Sequence, residues 1–206
     1  AVVSETTKAW LGTWTAYTEK IVDLKSNAVK DQRTDFTFTV TVAPGTADQV
    51  LIDGISIIGT GTSAYGQVVV KNGVNYLAII NNVAIADIGD GFSATWLPYC
   101  TLVNGGATFV TGEFGAIYLA LNEDGSVTYI PGNGTIEEGD FTVAAFDVIA
   151  YGQGGLGILS DSTGKEFKDW KYGEWKEIKK SEAAAARVMN ASAKQFTVGQ
   201  KPFASV

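Results

Sequence analysis

The chain reads as all-β, an antiparallel sandwich or barrel, on three observations. The first is strict alternation: Phe36, Phe38, Val40 and Val42 are separated by Thr37, Thr39 and Thr41, the period of a strand with one buried and one wet face. The second is punctuation by glycine, Asn-Gly and Asp-Gly, which cuts the chain into about ten short apolar runs at the spacing of β sandwiches and barrels. The third is that no helical periodicity falls between these runs, which argues against a parallel α/β sheet.

At 206 residues, 46% of them hydrophobic, with 24 Gly against 4 Pro, the chain has material for one large β domain whose turns are made mainly by glycine. A net charge of −7, with no basic run beyond residues 176–180, argues against nucleic acid, which takes clustered Lys and Arg to displace phosphate counterions. It also disfavours adsorption onto anionic lipid. No apolar run approaches the roughly 20 residues of a membrane helix. The richest, residues 74–88, is cut by Asn75, Asn81, Asn82 and Asp87. Histidine is absent, which removes Ser-His-Asp and Cys-His catalysis and nearly every zinc site built from protein ligands. The single cysteine, Cys100, has no thiol to pair with and no imidazole to activate it, and reads as a buried structural residue. Ala1, in place of an initiator methionine, reads as an end left by processing or trimming.

In order, residues 4–9 are a polar lead-in and residues 10–17 the first strand, with Trp14 opposite Thr13, Thr15 and Tyr17 and plugging one end of the core. Lys20, Asp23, Lys25, Lys30, Asp31 and Arg33 then mark a solvated strand extension or a long surface loop. Residues 35–42 and 49–52 form a pair broken at Ala43-Pro44-Gly45-Thr46, where proline removes a ladder donor and glycine permits reversal. Asn72-Gly73 between β-branched runs predicts a type I′ hairpin, since both residues tolerate positive φ. Residues 79–88 hold one or two strands split at Asn81-Asn82, and Gly89-Asp90-Gly91 turns the chain. Further strands are predicted at 93–103, 107–110, 116–121, 126–130 and 141–151, the last after a turn at residues 131–134. Beyond the glycine-rich residues 152–157, the alanine run 183–186, capped by Ser181, predicts a short helix over 181–195 followed by an extended tail. The domain therefore spans 1–180, with helix and tail in 181–206.

Candidate chemistry is sparse. Gly152-Gln153-Gly154-Gly155-Leu156-Gly157 lacks the Lys and Ser or Thr of a phosphate loop and enters no helix, so it reads as a strand bend or bulge. Glu137, Glu138, Asp140, Asp87 and Asp90 would serve calcium only if their loops converged, and they show no EF-hand spacing. A glycosidase needs no histidine, but no carboxylate pair is nominated. The aromatic group Phe167, Trp170, Tyr172 and Trp175 is the candidate ligand or partner surface, since exposed Trp and Tyr stack on sugars or anchor proteins; packing of alternate members into the core is the equal alternative. No catalytic residue, metal or cofactor is assigned.

Gly12-Thr13-Trp14-Thr15, the Phe-x-Phe-x-Val strand, Val50-Leu51-Ile52-Asp53-Gly54-Ile55 and Leu121-Asn122-Glu123-Asp124-Gly125-Ser126-Val127-Thr128 resemble the lipocalin-like (calycin-type) β-barrel domains of Bacteroidetes surface lipoproteins, over residues 10–151. The resemblance implies an antiparallel meander barrel of about 8–10 strands. It also implies an exported accessory protein at the outer membrane, held by an N-terminal lipid that this chain lacks at Ala1 and working beside a nutrient importer of the SusC/SusD kind. Asp161-Ser162-Thr163 resembles the pattern such bacteria O-glycosylate. Three functions follow in order: a binding or accessory lipoprotein contacting a glycan, peptide or protein partner; an assembly subunit of adhesin or fimbrial type; and a histidine-free carboxylate hydrolase.

Overall fold

Alternation and tight turns place the first five strands in one antiparallel meander. In the computed structural model, which describes residues 2–181 and 197–198, β1 (Gly12–Asp23), β2 (Ala28–Val42), β3 (Gln49–Asp53), β4 (Ser63–Lys71) and β5 (Val74–Ile80) pair in sequence order. On β2, Phe38 and Val40 face the core while Thr37 faces water. Gly45 takes the left-handed φ of +79° that the reversal into β3 requires, and Asn72 and Gly73, at +51° and +76°, make the expected type I′ turn. The charged stretch after Tyr17 is a strand extension: the β1–β2 ladder continues to Asp23 opposite Ala28.

At Asn81-Asn82 the chain leaves this sheet. The Asn81 side chain is buried and donates to the carbonyls of Val110 (3.1 Å) and Gly112 (2.8 Å), which fixes the exit. β6 (Val83–Gly89) and β7 (Phe92–Leu102) start a second sheet, with β8 (Ala107–Phe109) added to β7. β9 (Gly115–Leu121) and β10 (Val127–Pro131) return to the first sheet beside β5, and β11 (Asn133–Ile136) and β12 (Gly139–Gly152) complete the second beside β7. β13 (Gly155–Gly157) folds back on β12, β14 (Leu159–Ser160) follows, and β15 (Asp169–Tyr172) and β16 (Lys176–Lys180) both lie along the outer edge of β1. β10 approaches β16, so the nine-stranded sheet is a nearly closed barrel.

This architecture is all-β and barrel-like as predicted, but it is more finely divided than about ten strands, and only β1–β5 run as a simple meander. Two details also differ. The polar lead-in contains one helical turn, α1 (Glu5–Lys8), capped by Ser4, whose Oγ accepts from the Thr7 N–H. The break after β10 is Gly132 alone rather than a four-residue turn; a Cβ there would fall 2.3 Å from the Gly115 carbonyl oxygen. The helix predicted over 181–195 lies outside the described residues apart from Ser181. Of the tail, Thr197–Val198 is β17, antiparallel to β14.

Among the described residues, large side chains pack into the barrel interior. Trp10, Trp14, Phe38, Trp96, Phe146 and Trp175 meet aliphatic residues of β3–β5 and β9 in one core cluster. Trp14 Nε1 donates to the Trp10 carbonyl and Trp96 Nε1 to the Ser63 carbonyl, both at 2.8 Å, so these indoles bury their bulk without losing their polar partner. β7 and β12 are apolar on both faces: Trp96, Phe146 and Val148 face the barrel, while Leu97, Tyr99 and Ile149 face a second core with Val22, Leu156 and Trp170.

Candidate functional site

Phe167, Trp170, Tyr172 and Trp175 do not form an exposed ligand platform. Trp170 is 0% exposed, opposite Val22 of β1, with its ring edge-on to Phe109 at 5.8 Å. Trp175 is buried inside the barrel among Phe36 (5.1 Å), Phe38 (5.6 Å) and Tyr129 (5.7 Å). Phe167 packs against that same core, and Tyr172 is half-buried beside Tyr99. Three ion pairs run along this stretch: Lys168 with Asp23 (2.9 Å) and Asp169 (3.1 Å), and Lys176 with Glu19. This segment is therefore the seam that closes the barrel on β1.

The buried carboxylates among the described residues are tied to a loop of the fold. Asp53 and Asp147 are the buried acidic residues among those described, and both hold the loop of residues 54–62. Both Asp53 carboxylate oxygens accept from the Gly61 N–H. Asp147 Oδ1 accepts from Ser56 Oγ (2.6 Å) and the Val148 N–H (2.8 Å), and its Oδ2 from the Ile57 N–H (2.8 Å). Lys171 donates to the Ile55 carbonyl in the same pocket. Burial pushes the Asp147 carboxyl above its ordinary range, with Lys171, Ser56 and the two N–H groups opposing, and it pushes the Lys171 ammonium below its own. The cluster holds the loop that carries Ile55 and Ile58 into the barrel core.

Other candidates disperse. Asp87, near the end of β6, and Asp90, in the turn after it, lie beside the start of β7, and Glu137 and Glu138 beyond its other end, next to the Phe141–Leu102 pair; no group of three acidic or cysteine side chains suited to a metal occurs among the described residues. Burial pushes the Cys100 thiol up to about 12, which withdraws it as a nucleophile. Residues 152–157 form a tight hairpin, with Gly152 opposite Gly155 and Gln153-Gly154 at φ +40° and +72°. Asp161 accepts from the Thr163 N–H and hydroxyl, leaving Ser162 and Thr163 on an exposed turn.

Among the described residues, two surfaces that the sequence did not single out carry further argument. The first is the outer face of the barrel over β3, β4, β5, β9 and β10. Ladder register aligns Gln49, Gln67, Ala78, Tyr118 and Ile130 in one row, Val69, Tyr76, Ala120 and Thr128 in the next, and Leu51 beside Tyr65. None of these side chains is charged, in a chain with 22 acidic and 15 basic residues. Tyr65 and Val69 are each 43% exposed. The Tyr118 ring lies over Gly115, where a Cβ would come within 2.4 Å of it. These tyrosines are scattered along the chain, and only register brings them together.

The second is a cleft of about 380 Å³ where the β6–β7 and β12–β13 turns meet, lined by Asn82, Ser93, Thr95, Tyr151 and Gln153 with glycines at 91, 152 and 154. It too has no charged wall. No protein-family model, no curated protein and no solved structure matches the chain.

Proposed function

We propose that the chain is the binding module of an exported, lipid-anchored surface protein, without catalysis of its own, that docks a protein of an outer-membrane nutrient-uptake assembly. The observation that carries this reading is the neutral tyrosine face: interface cores are depleted in charge and enriched in tyrosine, and this face combines both over five adjacent strands. The packed indoles support it, because a ligand entering the core cluster would have to displace them. Gentle detergent extraction and size-exclusion chromatography from the native source test it. The protein should co-elute with a transporter, and Tyr65→Glu with Tyr118→Glu should abolish co-elution while the thermal midpoint stays put. A solitary, lipid-free monomer, or co-elution untouched by the two substitutions, overturns it.

A second reading, an assembly subunit, is favoured by the pairing of Thr197–Val198 with Leu159–Ser160, since a tail that adds as a strand can pair with a neighbour's edge. It expects concentration-dependent association in analytical ultracentrifugation, lost when residues 197–198 are removed; a strict monomer sinks it.

A further inference from the structure

We infer that the cleft between the β6–β7 and β12–β13 turns is a binding site for a neutral saccharide residue. β7 and β12 pair as far as Phe92 opposite Gly152, which sets the turns Asp90-Gly91 and Gln153-Gly154 side by side. All four residues have left-handed φ, at +55°, +78°, +40° and +72°. Glutamine is the unusual member. The turns at Asn72 and Asp90 use the short polar side chains that tolerate this conformation best, whereas Gln153 accepts the strain with a longer one. Its amide is laid across Gly91: a Cβ at Gly91 would sit 2.0 Å from Gln153 Nε2. Reversal of the chain needs no such reach, and the reach sets the amide over Gly91 at the wall of the cleft.

What it presents is hydrogen-bonding capacity left unspent. Thr95 Oγ1 donates to the Ser93 carbonyl (3.1 Å), but the side-chain amides of Asn82 and Gln153 and the hydroxyls of Ser93 and Tyr151 make no hydrogen bond to the described protein. These groups converge on a volume of about 380 Å³, at the small end of the roughly 300–1,000 Å³ range of small-molecule sites. With no lysine, arginine or carboxylate in the wall, nothing offsets the desolvation of an anion or cation, so the occupant is uncharged. Sugar hydroxyls both donate and accept, as do carboxamides and hydroxyls, and Tyr151 offers a ring for the apolar face of a pyranose. The site shares no residue with the tyrosine face and stands whether or not that face docks a protein.

Titration of the ¹⁵N-labelled full chain with glucose, galactose, N-acetylglucosamine and cellobiose, with glucuronate as the charged control, tests the assignment at the side-chain amide signals of Asn82 and Gln153. At least one neutral sugar should give saturable shifts that salt does not weaken. Gln153→Asn keeps a residue that accepts the left-handed turn but shortens its reach, so affinity should fall about tenfold or more while the thermal midpoint holds or rises. Tyr65→Glu with Tyr118→Glu should leave the shifts intact, which separates this site from the docking face. The assignment is overturned by an absence of saturable shifts, by undiminished binding in Gln153→Asn, or by preference for glucuronate.

Discussion

The late aromatic segment and the tyrosine face invert what their surroundings suggest. Trp170 and Trp175 lie among lysines and acids, yet they are buried, because β15 and β16 pair with β1, and ion pairs such as Lys168–Asp23 and Lys176–Glu19 run along the seam. Tyr65, Tyr76 and Tyr118 lie in apolar strands, yet they face outward, because their neighbours one step along each strand fill the barrel. Which partner strand a residue meets, and on which face, decides its role more than the polarity of the residues beside it.

The largest effects should come from the inward set. Trp175→Ala removes a ring that touches Phe36, Phe38 and Tyr129 and should cost about 3–5 kcal/mol in urea unfolding. A loss below about 1 kcal/mol together with lost partner binding would reverse the assignment of the two sets. Next comes Asp147→Asn. An amide nitrogen would face either the Ile57 N–H or the Ser56 and Val148 donors, and Lys171 would lose its counter-charge, so the cost should be about 2–4 kcal/mol, with faster hydrogen exchange over residues 54–62. Because burial raises the Asp147 carboxyl in the folded state, its contribution is complete below the ordinary carboxylate pKa and declines as pH rises through the raised value. The parent's advantage over Asp147→Asn should therefore shrink as pH increases, in paired melts across that range.

Much of the barrel was legible. Alternation on β2 and the Asn72-Gly73 pair report local geometry, and each strand or turn there carries its own signal. The doubly buried β7 and β12 show as nearly unbroken apolar runs for the same reason. What stayed hidden depends on contacts distant in sequence. Nothing near Asn81 says that the chain changes sheets, since its partners are carbonyls at 110 and 112. Nothing near Trp170 names Val22 as its neighbour. Gln153 read as part of a glycine-rich bend, because its meaning comes from Gly91.

A smaller effect is expected at the seam's surface. The Lys168 ammonium beside Asp23 holds that carboxyl below its usual range, so the pair contributes stability above the ordinary carboxylate pKa that is lost as pH falls through the depressed one. Lys168→Met should cost no more than about 1 kcal/mol at neutral pH. It should also flatten the acid limb of the stability curve; an unchanged limb would show that the seam does not depend on this ion pair.

The smallest effect on stability belongs to the outward set, and it sharpens the comparison most. Tyr65 is 43% exposed on the barrel's outer face, so Tyr65→Ser removes little buried area and should change unfolding free energy by no more than about 0.5 kcal/mol. If the face docks a partner, the same substitution should cost the complex about 2 kcal/mol or more, since buried tyrosines near an interface centre carry a large share of its affinity. Trp175→Ala should show the reverse, a large loss of stability and a binding loss that disappears once the folded fraction is corrected for. Measuring both variants by urea titration and by surface-immobilised partner capture gives a crossed pattern if the two aromatic sets have separate roles. Parallel losses in both assays would mean that Tyr65 supports the barrel as the indoles do, and the neutral face would then be a consequence of packing and not a surface kept for a partner.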